Sequence, residues 1–231
     1  LAVAPKISSD LQKLVAFVNK KKNLSLTGRA GGSDMTGGPL TESIVVDFKH
    51  FNKIKKIGKT FAVVEPGVYY RDFERKAKKK GLLFPSYPAS KNLCAWGGMV
   101  ANNAGGEKTL AYGKTEDYIQ ELKVVLSNGH QYTFKDLNKA ELAKKLKQED
   151  FEGQVYRRVY SLVKKNKALI QKAKPRVSKN SSGYYLWNVW DGRTFNLANL
   201  FVGSQGTLGL ITEIKVGLIK PKKHSKLLVI F

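Results

Sequence analysis

Thr27-Gly28-Arg29-Ala30-Gly31-Gly32-Ser33-Asp34-Met35-Thr36-Gly37-Gly38 decides how this chain is read. The stretch follows directly on a short apolar strand, Leu24 to Thr27, and precedes another at Ser43 to Asp47. Upstream, Ser8-Ser9-Asp10 offers a helix N-cap ahead of Leu11, Leu14, Val15 and Val18, which recur at helical spacing and predict a helix over 10–22. The chain therefore starts β-α-β with a glycine loop between its strands. Glycines let a backbone approach a diphosphate closely, and successive amides there form an anion-binding nest. The loop lacks the Gly-Lys-Ser/Thr ending of a P-loop. Nor is it a dinucleotide fingerprint, because Gly28 and Gly31 stand at the wrong spacing and no helix follows. Taken alone, it reads equally well as an ordinary glycine-rich turn.

Two further glycine-rich stretches lie downstream. Pro85 to Gly106 holds Pro85, Pro88, the pairs Gly97-Gly98 and Gly105-Gly106, and little periodicity. So long an irregular stretch in a compact domain marks either a functional loop or an Ω-loop without chemistry. Paired glycines beside small polar residues suit a backbone that lies flat against a ring. The third stretch, Val202-Gly203-Ser204-Gln205-Gly206-Thr207-Leu208-Gly209, opens the apolar strand Leu210 to Val216, with Lys179-Asn180-Ser181-Ser182-Gly183-Tyr184 upstream of it. Between them the pattern predicts a strand at Phe61 to Glu65 and a basic helix from Tyr70 to Lys80 closed by Gly81. Ile119 to Leu126 and Gln131 to Phe134 flank an Asn128-Gly129 hairpin turn. Two basic helices within 137–174, broken near Gly153 and ended by Pro175, follow, and Leu227 to Phe231 reads as a closing strand.

Composition bounds the answer. With 231 residues, 42% of them apolar, the chain can bury a core as one large domain or two small lobes. Cys94 is the only cysteine, which excludes an internal disulfide; with three scattered histidines it leaves no ligand set for a metal. That usage fits a reducing cytoplasm. No run of about 18 apolar residues exists and no signal-peptide pattern opens the chain, so only peripheral contact with a membrane stays open. Leu1 to Pro5 reads as the end of a strand, and the unpartnered apolar stretch at the far end suggests a domain cut from a longer chain. The formal charge of +23 is the outlier, carried by runs such as Lys20-Lys21-Lys22, Lys76 to Lys80 and Lys220 to Lys226. Clustered lysine suits a nucleic-acid or anionic-surface module, but no recognisable motif for specific nucleic-acid binding accompanies it, and a solvated lysine-rich surface accounts for it.

Together and in this order, the three glycine loops resemble the FAD-binding domain, PCMH type, of the vanillyl-alcohol oxidase/para-cresol methylhydroxylase flavoproteins. The Lys179-Asn180 and Gly183-Tyr184 element resembles the glycolate oxidase and D-lactate dehydrogenase branch. The resemblance covers essentially all 231 residues. It implies an α+β fold of two lobes with FAD between them: a small βαβ lobe over about residues 1–65, and a larger lobe with a mixed or antiparallel sheet and flanking helices over about 66–220. A C-terminal substrate or cap domain would lie outside this chain. Carried onto matching positions, the resemblance assigns Ala30, Gly31, Gly32, Ser33 and Asp34 with Gly37 and Gly38 to the diphosphate. Ser90, Ala95, Gly97, Gly98, Ala101 and Gly105 would line the ring and ribityl chain, and Leu210 and Ile211 would meet the pyrimidine end. Arg29 either adds charge to the diphosphate or is a surface arginine.

Relatives with a histidyl flavin bond carry His where Ser33 stands, and those with a cysteinyl bond place Cys about where Lys91 stands, so non-covalent FAD is expected. The resemblance implies an FAD-linked dehydrogenase or oxidase that transfers hydride from C2 of a small 2-hydroxy acid, of the D-lactate or glycolate type, to flavin N5. An electron-acceptor protein or a quinone would take the electrons onward. No catalytic base is legible: His50, His130 and His224 lie in no matching motif, and the fragment alone is expected to be inactive. A UDP-N-acetylenolpyruvoylglucosamine reductase-like FAD enzyme is the rival on the same fold, against which the Lys179 to Gly183 element speaks.

Overall fold

The computed structural model describes residues 1–177, 180–222, 224, 226, 228 and 229. Strand β1 (Ala2–Val3) leads into helix α1 (Ser8–Val18), then β2 (Leu26–Arg29) and β3 (Ile44–Asp47). Helix α1 starts at Ser8, two residues before its expected start at residue 10, because Asp10 reaches back to accept from the amides of Lys6 (2.9 Å) and Ile7 (3.2 Å). It ends at Val18 and not at residue 22, where the apolar spacing stops and the Lys20 to Lys22 run begins. The three strands form a parallel sheet in the order β1-β3-β2, with Ile44 and Val46 of β3 turned into the core.

The chain then builds a second sheet. Strands β4 (Ile54–Ile57) and β5 (Phe61–Val64) precede helix α2 (Tyr70–Lys78), the short helices α3 (Trp96–Ala101) and α4 (Thr109–Tyr112), and the hairpin β6 (Ile119–Val125) and β7 (Gln131–Lys135). Helices α5 (Lys139–Lys147), α6 (Phe151–Lys165), α7 (Lys167–Ala173) and α8 (Ala198–Phe201) follow, and β8 (Leu210–Gly217) closes the order. The sheet runs β4-β5-β8-β6-β7 and is antiparallel throughout. One parallel and one antiparallel sheet make the α+β class that the sequence implied. Strands β4 and β5, on the N-terminal side of the expected lobe division near residue 65, hydrogen bond into the second sheet.

Three expectations need correction. The stretch 85–106 is not wholly irregular, since α3 lies within it. The basic region 137–174 holds three helices, broken at Gln148–Asp150 and at Asn166; Gly153 sits in the first turn of α6, where its amide donates to Asp150 (2.8 Å). Of the closing strand expected at Leu227 to Phe231, Leu227, Ile230 and Phe231 lie outside the described residues, as does Lys179, while Leu228 and Val229 are in no strand.

The larger apolar core packs α2, α3 and α5–α8 against the antiparallel sheet. A smaller one, with Leu11, Val15, Val46, Phe48, Phe51, Val125 and Leu210, joins the two sheets. Leu210 belongs to that joint and also faces the open cleft beside it.

Candidate cofactor cleft

Between the sheets lies an open cleft of the concave, largely apolar kind that small-molecule sites favour. All three glycine-rich stretches meet on its wall. Ala30, Gly31, Gly32, Ser33, Asp34 and Gly38 come from the first; Ser90, Ala95, Gly97, Gly98 and Ala101 from the second; Leu210 and Ile211 follow the third. Two expected residues are not on the wall. Gly37 turns the first loop at φ +81°, its carbonyl accepting from Leu40 N (2.9 Å). Gly105 makes room for Thr109, whose Oγ1 would stand 2.6 Å from a Cβ there. Phe48, Pro66, Asn102 and Gln205 line the cleft without having been singled out, and Arg29 lies at its edge.

The first loop leaves β2 with its donors free. Among the described residues, the amides of Ala30, Gly31, Gly32, Ser33 and Asp34 donate to no partner, as an anion nest requires. The Asp34 side chain is occupied otherwise: its carboxylate accepts from Thr36 Oγ1 (2.7 Å), Thr36 N (3.2 Å) and Gly38 N (2.8 Å), folding residues 34–38 into a turn. The Thr36 hydroxyl and those amides hold its pKa below the usual carboxylate value. Asp34 thus contributes as the tie that shapes the loop.

The second loop is pinned from beneath. Trp96, fully buried, stands edge-on to Phe73 (4.9 Å between ring centroids) and Phe84 (4.8 Å). Trp96 N donates to Val68 O (3.0 Å) and Gly97 N to Pro66 O (2.8 Å), so the N-terminal amides of α3 are satisfied by the segment after β5. Adjacent glycines in this helix differ in kind. A Cβ on Gly97 would meet Pro66 Cβ at 2.7 Å, so close packing requires glycine there. A Cβ on Gly98 would meet nothing within 4 Å, and its φ is not in the left-handed region. Neither packing nor backbone calls for glycine at 98; the space left is cleft space. The third loop is latched to α3 by Gly203 N to Val100 O (3.0 Å), Gln205 N to Ala101 O (2.8 Å) and Gln205 Nε2 to Asn102 Oδ1 (2.8 Å), with Gln205 held at φ +55°. Tyr184, of the segment upstream, shares a 2.7 Å hydrogen bond with Thr207 Oγ1.

The wall is poor in acid–base groups. Among the described residues its ionisable side chains are Arg29, Asp34 and Cys94. Burial pushes the Cys94 thiol up to about 11, so it stays a neutral, unreactive filler at physiological pH. His50, His130 and His224 are all exposed and none faces the cleft. Among the described residues no cluster of His, Cys, Asp and Glu could hold a metal ion. The arrangement can bind and orient a large anionic ligand, and the one carboxylate on the described wall, Asp34, is engaged by Thr36 and Gly38.

Comparison with known proteins agrees with this geometry. Residues 1–135 match the family model described as "FAD binding domain". The chain is 29% identical over 233 residues to D-2-hydroxyglutarate dehydrogenase of Pseudomonas putida, covering 98% of this chain and 23% of that protein. It is 28% identical over 234 residues to glycolate oxidase subunit GlcD of Bacillus subtilis, covering 99% and 39%. Among solved structures, an alkyldihydroxyacetonephosphate synthase superposes with a TM-score of 0.63 at 20% identity, over 96% of this chain and 32% of that one.

Proposed function

The chain belongs to the FAD binding domain family, and on that premise we propose that it is the FAD-holding part of an oxidoreductase that oxidises a small 2-hydroxy acid. The observation that carries the cofactor half is the cleft itself: three glycine-rich stretches on one wall, an unpaired amide nest, and a glycine at 98 that only a ligand would require. In this reading the amides of Ala30 to Asp34 hold the diphosphate, Gly98 and Ala101 flank the ring, and the main chain at Leu210 and Ile211 meets its polar edge. Bound FAD supplies the two-electron acceptor. The protein positions it and excludes water from one side.

The substrate half is supported by relatives whose names specify 2-hydroxy acids, D-2-hydroxyglutarate and glycolate. This chain spans about a quarter to two fifths of their lengths. With Asp34, tied to Thr36 and Gly38, the only carboxylate on the described cleft wall, the catalytic base and the carboxylate-binding groups are assigned to none of these residues.

Titrating the cofactor-free chain with FAD tests the first half: saturable binding with a perturbed flavin spectrum is expected, and acid precipitation should release all the flavin, since Ser33 and Cys94 offer no attachment. Absence of saturable binding overturns it. The second half is tested separately, by adding glycolate, D-lactate or D-2-hydroxyglutarate anaerobically to the FAD-loaded full-length protein. Bleaching of the flavin by one of them is expected, and bleaching by none refutes the substrate class without touching the cofactor. The same addition to the chain 1–231 alone should leave the flavin oxidised.

The Asp34 tie makes a further prediction. A carboxyl whose pKa is depressed in the folded loop stabilises that loop above its ordinary value and loses the effect as pH falls through the depressed one. FAD affinity should therefore fall on acidification below the usual carboxylate range. Asp34→Ala should weaken it roughly tenfold at neutral pH and remove the acid dependence. Isothermal titration across pH measures both.

A further inference from the structure

The net charge of +23 is unevenly spread, and one long acid-free basic stretch lies far from the cleft in sequence. Residues 157–177, which end α6 and include all of α7, carry eight cations (Arg157, Arg158, Lys164, Lys165, Lys167, Lys172, Lys174 and Arg176) and no aspartate or glutamate. Three large apolar residues are exposed among them: Leu162 at 46%, Leu169 at 65% and Val177 at 63%. Leu162 and Leu169 stand seven residues apart, and the helical ladder passes from one helix to the next, with Asn166 N donating to Leu162 O (3.1 Å) and Ile170 N to Asn166 O (2.9 Å). Arg158, Leu162, Lys165, Leu169 and Lys172 thus recur at alternating steps of four and three, all exposed, and Arg176 and Val177 are exposed in the segment after α7. Tyr156, Val163 and Ile170, buried, carry the opposite task of anchoring the helices to the core.

A face that combines clustered cations with protruding leucines matches one partner chemistry better than any other. We propose that α6 and α7 dock the protein peripherally on an anionic lipid bilayer, the cations meeting phosphate headgroups while Leu162, Leu169 and Val177 enter the acyl boundary. A nucleic acid would use the cations but has no place for the leucines, and this face exposes no aromatic ring among residues 157–177 for base stacking. An acidic protein would need the lysines alone. The apolar residues make the choice, because beside clustered cations they fit the acyl boundary that neither a nucleic acid nor an acidic protein offers.

Flotation with phosphatidylcholine vesicles, with and without phosphatidylglycerol, tests the proposal. The chain should float with anionic vesicles, stay behind with neutral ones, and detach as salt rises. Leu162→Gln/Leu169→Gln, at exposed sites where the fold loses nothing, should keep the wild-type melting temperature and lower vesicle affinity about tenfold or more. Lys165→Glu/Lys172→Glu should do the same, whereas Lys20→Glu/Lys21→Glu, an equal charge change in another lysine run, should reduce binding far less. Failure to bind anionic vesicles, equal binding to neutral ones, wild-type affinity in the leucine double variant, or tighter retention on duplex DNA than on vesicles at equal ionic strength would each overturn the proposal.

Discussion

Gly98→Val is expected to weaken FAD binding by about tenfold to a hundredfold while leaving the melting temperature of the cofactor-free protein within a few degrees of wild type. The two readouts separate because two different neighbours are involved. In the cofactor-free protein a Cβ at 98 would meet nothing within 4 Å, and valine is no worse a helix residue than glycine, so little in the fold resists it. In the proposed complex the same atoms occupy cleft space, and overpacking of that kind costs about 1–3 kcal/mol. Gly97→Val supplies the control. Its Cβ would sit 2.7 Å from Pro66 Cβ and 3.4 Å from Ala30 Cβ, so it should destabilise the cofactor-free fold itself by about 1–3 kcal/mol. If Gly98→Val instead lowers the melting temperature as much as Gly97→Val does, glycine at 98 serves the fold and the cleft loses its main support.

Trp96→Ala should be the most destabilising single change considered, at about 3–5 kcal/mol, or a melting temperature lower by about 10 °C or more. Trp96 is fully buried, and Tyr70, Phe73 and Phe84 surround it with ring centroids between 4.8 and 6.3 Å away. Truncation leaves a cavity under the first turn of α3, the turn whose amides Val68 and Pro66 satisfy. Trp96→Phe should cost much less, since phenylalanine keeps most of the contact and removes an indole Nε1–H that has no acceptor. Denaturant unfolding of the three proteins measures the series. Equal losses for alanine and phenylalanine would show that the indole's full volume, and not aromatic contact as such, holds the loop.

Where local chemistry determines local structure, the fold was legible. Asn128-Gly129 turns the β6–β7 hairpin, with Gly129 at φ +80°, because few other residues adopt that backbone. Helix α2 was readable from its apolar face of Tyr70, Phe73 and Ala77. Strand β4 escaped because Ile-Lys-Lys-Ile does not alternate and sits at a sheet edge. Helix α3 escaped because Trp96-Gly97-Gly98-Met99-Val100-Ala101 is too short and glycine-rich to hold itself; its first turn is secured by carbonyls some thirty residues earlier. The break expected at Gly153 failed for the converse reason. That glycine is there because a Cβ would run into the Gln148 carbonyl at the α5–α6 corner. For the cleft, glycine content marked most of the wall. Phe48 and Pro66 reach it only through the tertiary joint between the sheets, which no spacing reveals. Gln205, within the glycine-flanked Gly203-Ser204-Gln205-Gly206, had a usable signal in its forced turn, though not its bond to Asn102.

The position of β8 bears on how the chain matures. The last strand among the described residues, β8, is the central one of five, wedged between β5 and β6. During synthesis those two strands therefore emerge with open edges, and the gap between them stays unfilled until residues 210–217 leave the ribosome. The nascent domain passes through a stage in which β5 and β6 are made but their sheet is not closed, a stage suited to capture by chaperones. Leu210 and Ile211 arrive on that same strand, so completing the sheet and completing the cleft are one event.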